Sequence, residues 1–117
     1  SKKRMPRFIF LANTNAIEGK EAEFNRWYDA EHVPDVLGTP GFVAAQRFRA
    51  SEQQMRPGQV THQYLTLYEI EAPTVADAIR EFGQRAGSGG IRMSDAVDAA
   101  GATMTFYEAV TERVTSA

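Results

Sequence analysis

The residues best equipped for chemistry crowd into positions 24–36: Phe24, Trp27, Tyr28, Asp29, Glu31, His32 and Asp35, with Pro34 among them. Imidazole is the side chain whose unperturbed pKa lies closest to neutrality, and the chain has only two, His32 and His62. At helical spacing Phe24, Tyr28 and His32 are four apart and share one face, with Trp27 and Glu31 flanking them. A neutral imidazole beside an aromatic wall can take a proton from a phenol or from carbon next to a carbonyl. Such general base catalysis contributes about 10²–10⁴-fold. His32 is the candidate acid/base, and Tyr28 or a strand tyrosine is the hydroxyl that would steady the resulting enolate.

Each candidate also has a plainer reading. Pro34 removes an amide donor and pushes Val33 out of the helical region, which predicts a helix ending close to His32. There His32 would cap a free carbonyl, and the helix dipole would raise its pKa, favouring an acid or anion binder over a free base. Phe24 and Trp27 sit at apolar helical positions that usually bury against a sheet, so they are core residues or a substrate wall. Asn13 either faces the same cavity or closes a turn with Thr14 and Asn15. Arg47 shares a strand face with Arg49 and suits a phenolate or carboxylate, although pairing with Glu69 or Glu108 across the sheet is the favoured reading. Tyr64 and Tyr68 share a face with Thr66, a surface fit for an aromatic ligand with polar substituents or for dimer packing. Asp29, Glu31 and Asp35 form too loose a cluster for a metal, so none is expected. His62 stands next to a loop and becomes the alternative catalytic histidine if that loop folds over the cavity.

The elements that must position these groups read in order. The apolar run 8–12 ending in Asn13-Thr14-Asn15 predicts a buried strand, and 19–32 has helical period. Thr39-Pro40-Gly41 marks a turn before a strand at 42–49, and 51–62 is a polar, exposed connection. Residues 64–70 form the clearest strand. Pro73-Thr74 opens a second helix that Gly83 or Gly87 should end, 87–90 reads as a mobile flap, 91–97 as a short turn or helix, and 103–110 as the last strand. Strand, helix, strand, strand, helix, strand is the α+β ferredoxin-like βαββαβ order, with an antiparallel sheet and helices on one face. The other face needs a cover, and a second copy of the chain supplies it most economically.

Composition narrows the function. The absence of cysteine excludes disulfides, thiolate metal sites and cysteine nucleophiles. A formal charge of -2 gives no broad attraction to nucleic acid or anionic lipid. No signal-peptide core follows the basic start, and 8–12 is too short to span a membrane. The expectation is one domain over 1–117 with a disordered tail at 1–5, located in the cytoplasm.

The pattern Phe24, Trp27-Tyr28-Asp29, Glu31-His32-Val33-Pro34-Asp35-Val36, followed by Pro40-Gly41-Phe42 and Arg47-Phe48, resembles the EthD-like dimeric α+β barrel proteins. The likeness is densest over 24–48 and extends through element order along the chain. It implies a homodimer whose two sheets face each other as a barrel. It also implies a small enzyme without cofactor, acting on an aromatic or polyketide-like molecule by cyclisation, dehydration or isomerisation. The alternatives are a quinol-type monooxygenase with Trp27, Asn13 and His32 around its substrate, a haem-binding barrel, or a non-catalytic ligand-binding dimer.

Overall fold

A computed structural model describes residues 5–117, so the expected N-terminal tail lies outside the described residues except for Met5, which is exposed. Strand β1 (Arg7–Thr14) is flanked by β3 (Tyr64–Glu71) and β4 (Thr103–Glu108), and β2 (Phe42–Arg49) pairs with the far edge of β3. Every pairing is antiparallel and the order is β2-β3-β1-β4, the ferredoxin-like α+β topology that the element order predicts.

The strands show why one face carries the helices. In β1, Phe8, Phe10, Ala12 and Thr14 are buried while the residues between them are not, and across β3 they meet Ile70, Tyr68, Thr66 and Tyr64. Period two puts all eight on one side, where Val36, Ala78 and Ile91 pack against the aromatic members. Ile9, Leu11, Leu65 and Leu67 face the other way, where no element among the described residues covers them and Phe48 and Tyr107 are 43% and 50% exposed.

The first helix does not stop at His32. Helix α1 (Glu21–Trp27) widens into a π-helical turn (Tyr28–His32) and continues as α2 (Val33–Leu37). The Val33 amide donates to the carbonyl of Tyr28, five residues back. A π-turn admits one extra residue, and Pro34 then falls in the first turn of α2, where an amide donor is not required. The proline redirects the helix rather than ending it.

Helix α3 (Val75–Gly87) starts where expected, with Thr74 Oγ1 accepting from the Asp77 amide at 3.0 Å. It runs through Gly83 to Gly87. The glycine segment beyond it, expected to be a flap, folds back: Gly90 donates to the Arg85 carbonyl at 2.9 Å, with Gly89 at a φ of +82°. Residues 91–102 form no helix. They are pinned by the Ala16–Val97 bridge and by Ile17 N–H to Ala96 O at 2.7 Å. The last strand stops at Glu108, short of the expected Val110.

Candidate functional site

Between the helix-bearing face of the sheet, the helix from α1 to α2, and residues 91–102 lies a mostly apolar cavity of about 200 Å³. Trp27, Tyr28, His32 and Tyr68 all line it, with no Asp, Glu, Lys or Arg among their neighbours there. The π-turn builds its polar wall. Residues five apart lie about 140° round an α-helix, yet the imidazole of His32 stacks on the indole of Trp27 at 4.4 Å and 27°. Tyr28 meets the same imidazole edge-on at 5.0 Å.

His32 is not a helix-end cap. It sits at the junction of two helical segments, and its Nδ1 is buried with no hydrogen-bond partner. Burial holds its pKa below the ordinary 6.5, against opposing pulls from the Arg92 main chain and the Asp35 carboxylate. That reverses the dipole-raised value a capping histidine would have. The imidazole is a neutral base at physiological pH. Two more unpartnered polar atoms border the cavity, Tyr68 OH and Thr14 Oγ1. Burial, and then the proximity of Tyr28, drives the Tyr68 pKa upward, so its hydroxyl stays protonated and can donate. Buried polar groups normally find partners; three orphans around one cavity suit a ligand that supplies them.

Residues 91–102 are latched over this site by Arg92. Its amide and Nε each donate to Asp35 Oδ2 at 2.9 Å, and Nη2 donates to Oδ1 at 3.0 Å. Its carbonyl accepts from Trp27 Nε1 at 3.2 Å. The guanidinium holds the Asp35 carboxyl down to about 2. Asp35→Asn should leave the fold intact and speed hydrogen exchange at the Arg92 amide on the order of tenfold, since a charge-assisted bidentate pair is lost. Unchanged exchange there would show that the latch does not hold the segment.

The remaining predicted residues lie elsewhere. Phe24 is fully buried behind Tyr28 and Tyr64. Arg47 projects toward the helices, 4.5 Å over the Tyr28 ring, and donates to Asp29 at 2.6 Å and Asn25 at 2.7 Å. It does not pair with Glu69 or Glu108, because Arg47 stands opposite Thr66 on the helix side while Glu69 stands opposite Ala44 on the other. Tyr64 donates to the Glu21 carboxylate and accepts from Asn25 Nδ2 at 3.2 Å, which makes it part of this structural cluster. Asn13 lies on the opposite face of the sheet. Asn15 does the loop closing, accepting from the Gln63 amide at 2.8 Å and donating to Thr61 O at 3.2 Å. His62 is bound at both nitrogens, to Gly101 O at 2.6 Å and Thr61 Oγ1 at 3.0 Å, and does not line the cavity. Asp29, Glu31 and Asp35 each pair with an arginine.

Thr14 joins the site unannounced by its residue type, although the period-two run from Phe8 through Phe10 and Ala12 puts it on the same face as those residues. Met93 and Met104 also line the cavity, and no periodic pattern signals Met93.

An antiparallel βαββαβ sheet with a cavity between sheet and helices defines the ferredoxin-like α+β class to which the dimeric barrel proteins conform. No family model and no curated protein matches the chain. Solved structures do. A mutant of MhuD bearing two manganese protoporphyrin IX molecules per active site aligns with TM-score 0.62 at 16% identity, over 92% of this chain and 99% of that one. An EthD family protein from Bacillus halodurans aligns with TM-score 0.60 at 18% identity, over 89% and 99%. SnoaB, a cofactor-independent oxygenase from Streptomyces nogalater, aligns with TM-score 0.59 at 15% identity, over 91% and 95%. These likenesses establish the fold that the EthD-like pattern implies. Among the described residues no helix is long and apolar enough to cross a membrane.

Proposed function

We propose that the protein is a cofactor-independent oxygenase of a small phenol or quinol, carried by one observation: a neutral His32 imidazole with an unpartnered Nδ1, lining a mostly apolar cavity. Cyclisation, dehydration and isomerisation begin with the same base. The oxygenase reading is preferred because SnoaB, of the same fold, carries out oxygenation without a cofactor.

The chemistry needs only a base, a dry wall and an electron-rich substrate. His32 Nδ1 takes the phenolic proton, and Tyr68 OH and Thr14 Oγ1 hold the polar groups of the ring. The phenolate passes an electron to dioxygen, the radical pair joins at a ring carbon, and the O–O bond breaks. One oxygen atom stays on the ring as a carbonyl while the other leaves as water, which takes one proton back from His32 and the other from the ring carbon that was attacked. A hydroquinone supplies all four electrons and ends as hydroxyquinone, so no outside reductant is required. Water is poorly accommodated among the apolar walls, which protects the intermediates.

Haem, held by MhuD, does not fit. An apolar cavity of about 150 Å³ is filled by benzene, and a porphyrin joins four pyrrole rings, whereas this cavity offers about 200 Å³. A second copy of the chain covering the apolar outer face of the sheet completes the reading as a homodimer.

An oxygen electrode with hydroquinone as substrate tests it. The expected result is one O₂ consumed per quinol, with one labelled oxygen atom in the hydroxyquinone when labelled O₂ is supplied. Turnover of phenolic substrates without oxygen uptake would instead identify a lyase or isomerase.

A further inference from the structure

The cavity has a closed end and an open one. Phe10, Tyr28 and Tyr68 at its inner end are 2%, 2% and 1% exposed, whereas Met93 and Met104, which border the same space, are 70% and 64% exposed. Side chains that both line a cavity and face solvent mark its mouth. Met104 projects from β4 opposite Ala12 of β1, and Met93 follows Arg92 directly, so one stands on the sheet and the other on the latched segment. Ala99, also exposed, lines the cavity with only a methyl group. Unbranched thioethers rearrange at little cost, which lets two methionines part and close around a ring. The interior beyond them has no charged side chain to neutralise an ionised substituent, and an unpaired buried charge is costly.

We propose that Met93 and Met104 form the gate of this cavity. They admit a compact aryl ring that carries no ionised substituent. This deepens the phenol reading and rests on the same cavity. It also says which substrates are refused: those whose carboxylate or phosphate would have to pass the methionines.

The chain lacks cysteine and contains one tryptophan, Trp27, which lines the cavity. Met104→Cys therefore offers a single thiol at the gate, and Met55→Cys a control thiol at a residue 98% exposed that does not border the cavity. Quenching of Trp27 by 4-nitrophenol near pH 6, where the probe is un-ionised, reports its arrival. Capping the Met104→Cys thiol with a methylthio group rebuilds a side chain close to methionine in length and sets the reference rate of association. A bulky maleimide there should slow it at least about tenfold, while the same maleimide at Met55→Cys should not. The ionised 4-nitrobenzoate should bind at least about tenfold more weakly than 4-nitrophenol. Equal rates in both maleimide-labelled proteins would place the opening elsewhere and overturn the gate while leaving the cavity reading intact. Tight nitrobenzoate binding would overturn the selection against charge. No quenching in the native protein would overturn gate and phenol reading together. Normal gating without oxygen uptake would support the gate and remove only the oxygenase.

Discussion

Replacing His32 with glutamine should lower kcat by about 10²–10⁴-fold, the range a positioned general base contributes, while leaving the fold in place. Glutamine keeps a polar amide near the Nε2 position but cannot accept a proton at neutral pH. The loss should appear mainly in kcat, because most of the binding surface is supplied by the rings and methionines around the imidazole. The same variant should also change how stability depends on pH. Burial holds the native imidazole below its ordinary 6.5, so the unfolded chain takes up the proton first on acidification. Where the unfolded state binds more protons, stability falls as pH falls. The native protein should therefore lose stability from pH 6.5 downward until His32 is protonated in the folded state too, and His32→Gln should flatten that part of the profile. Denaturant titrations at a series of pH values check this. A glutamine variant with full turnover would remove His32 from the chemistry, and an unchanged pH profile would contradict its buried, neutral state.

How legible this site was in the sequence depended on which geometry had to be known. The strands were legible because period two is local: it groups Tyr64, Thr66 and Tyr68 on one face of β3, but both faces of β1 and β3 are apolar in sequence, so only the packing shows which one bears the helices. The histidine was legible as a residue but not as an environment. Pro34 reads as a stop when the only alternative considered is an α-helix, and an α-helix ending at His32 would have raised its pKa. The π-turn carries the proline inside the helix and turns His32 onto Trp27, which inverts the electrostatics. The surroundings of Arg47 are hidden from the sequence for a different reason. Cross-strand partners come from register, and a β-bulge between Phe42 and Ala44 shifts β2 so that Arg47 faces the helices. Residues 91–102 gave no periodic signal because they are held by Arg92 and the Ala16–Val97 bridge, both long-range contacts.

Phe10→Ala should be the most damaging single truncation in the sheet, destabilising the protein by about 3–5 kcal/mol. Phe10 lies on β1, which pairs on both sides, and its ring is 2% exposed. It stacks on Phe106 at 4.5 Å and on Tyr68 at 5.6 Å, and meets Phe82 edge-on at 5.5 Å. Removing it opens a hole bordered by the rings of Phe106, Tyr68, Phe82 and Phe42, whose backbones belong to β4, β3, α3 and β2, elements that cannot all move inward together. Against a total stability of about 5–15 kcal/mol such a loss brings the fold near its limit. Phe10 also borders the functional cavity, so the hole joins it, and a ligand can fill what the mutation empties. 1-Naphthol should raise the melting temperature of the variant more than that of the native protein, since ligand stabilisation grows with affinity for the folded state alone. Equilibrium denaturation with and without naphthol measures both effects. A loss below about 1 kcal/mol would mean that the sheet collapses around the site. A loss of the expected size with no naphthol rescue would mean that the space behind Tyr68 is sealed from the cavity where the substrate is bound.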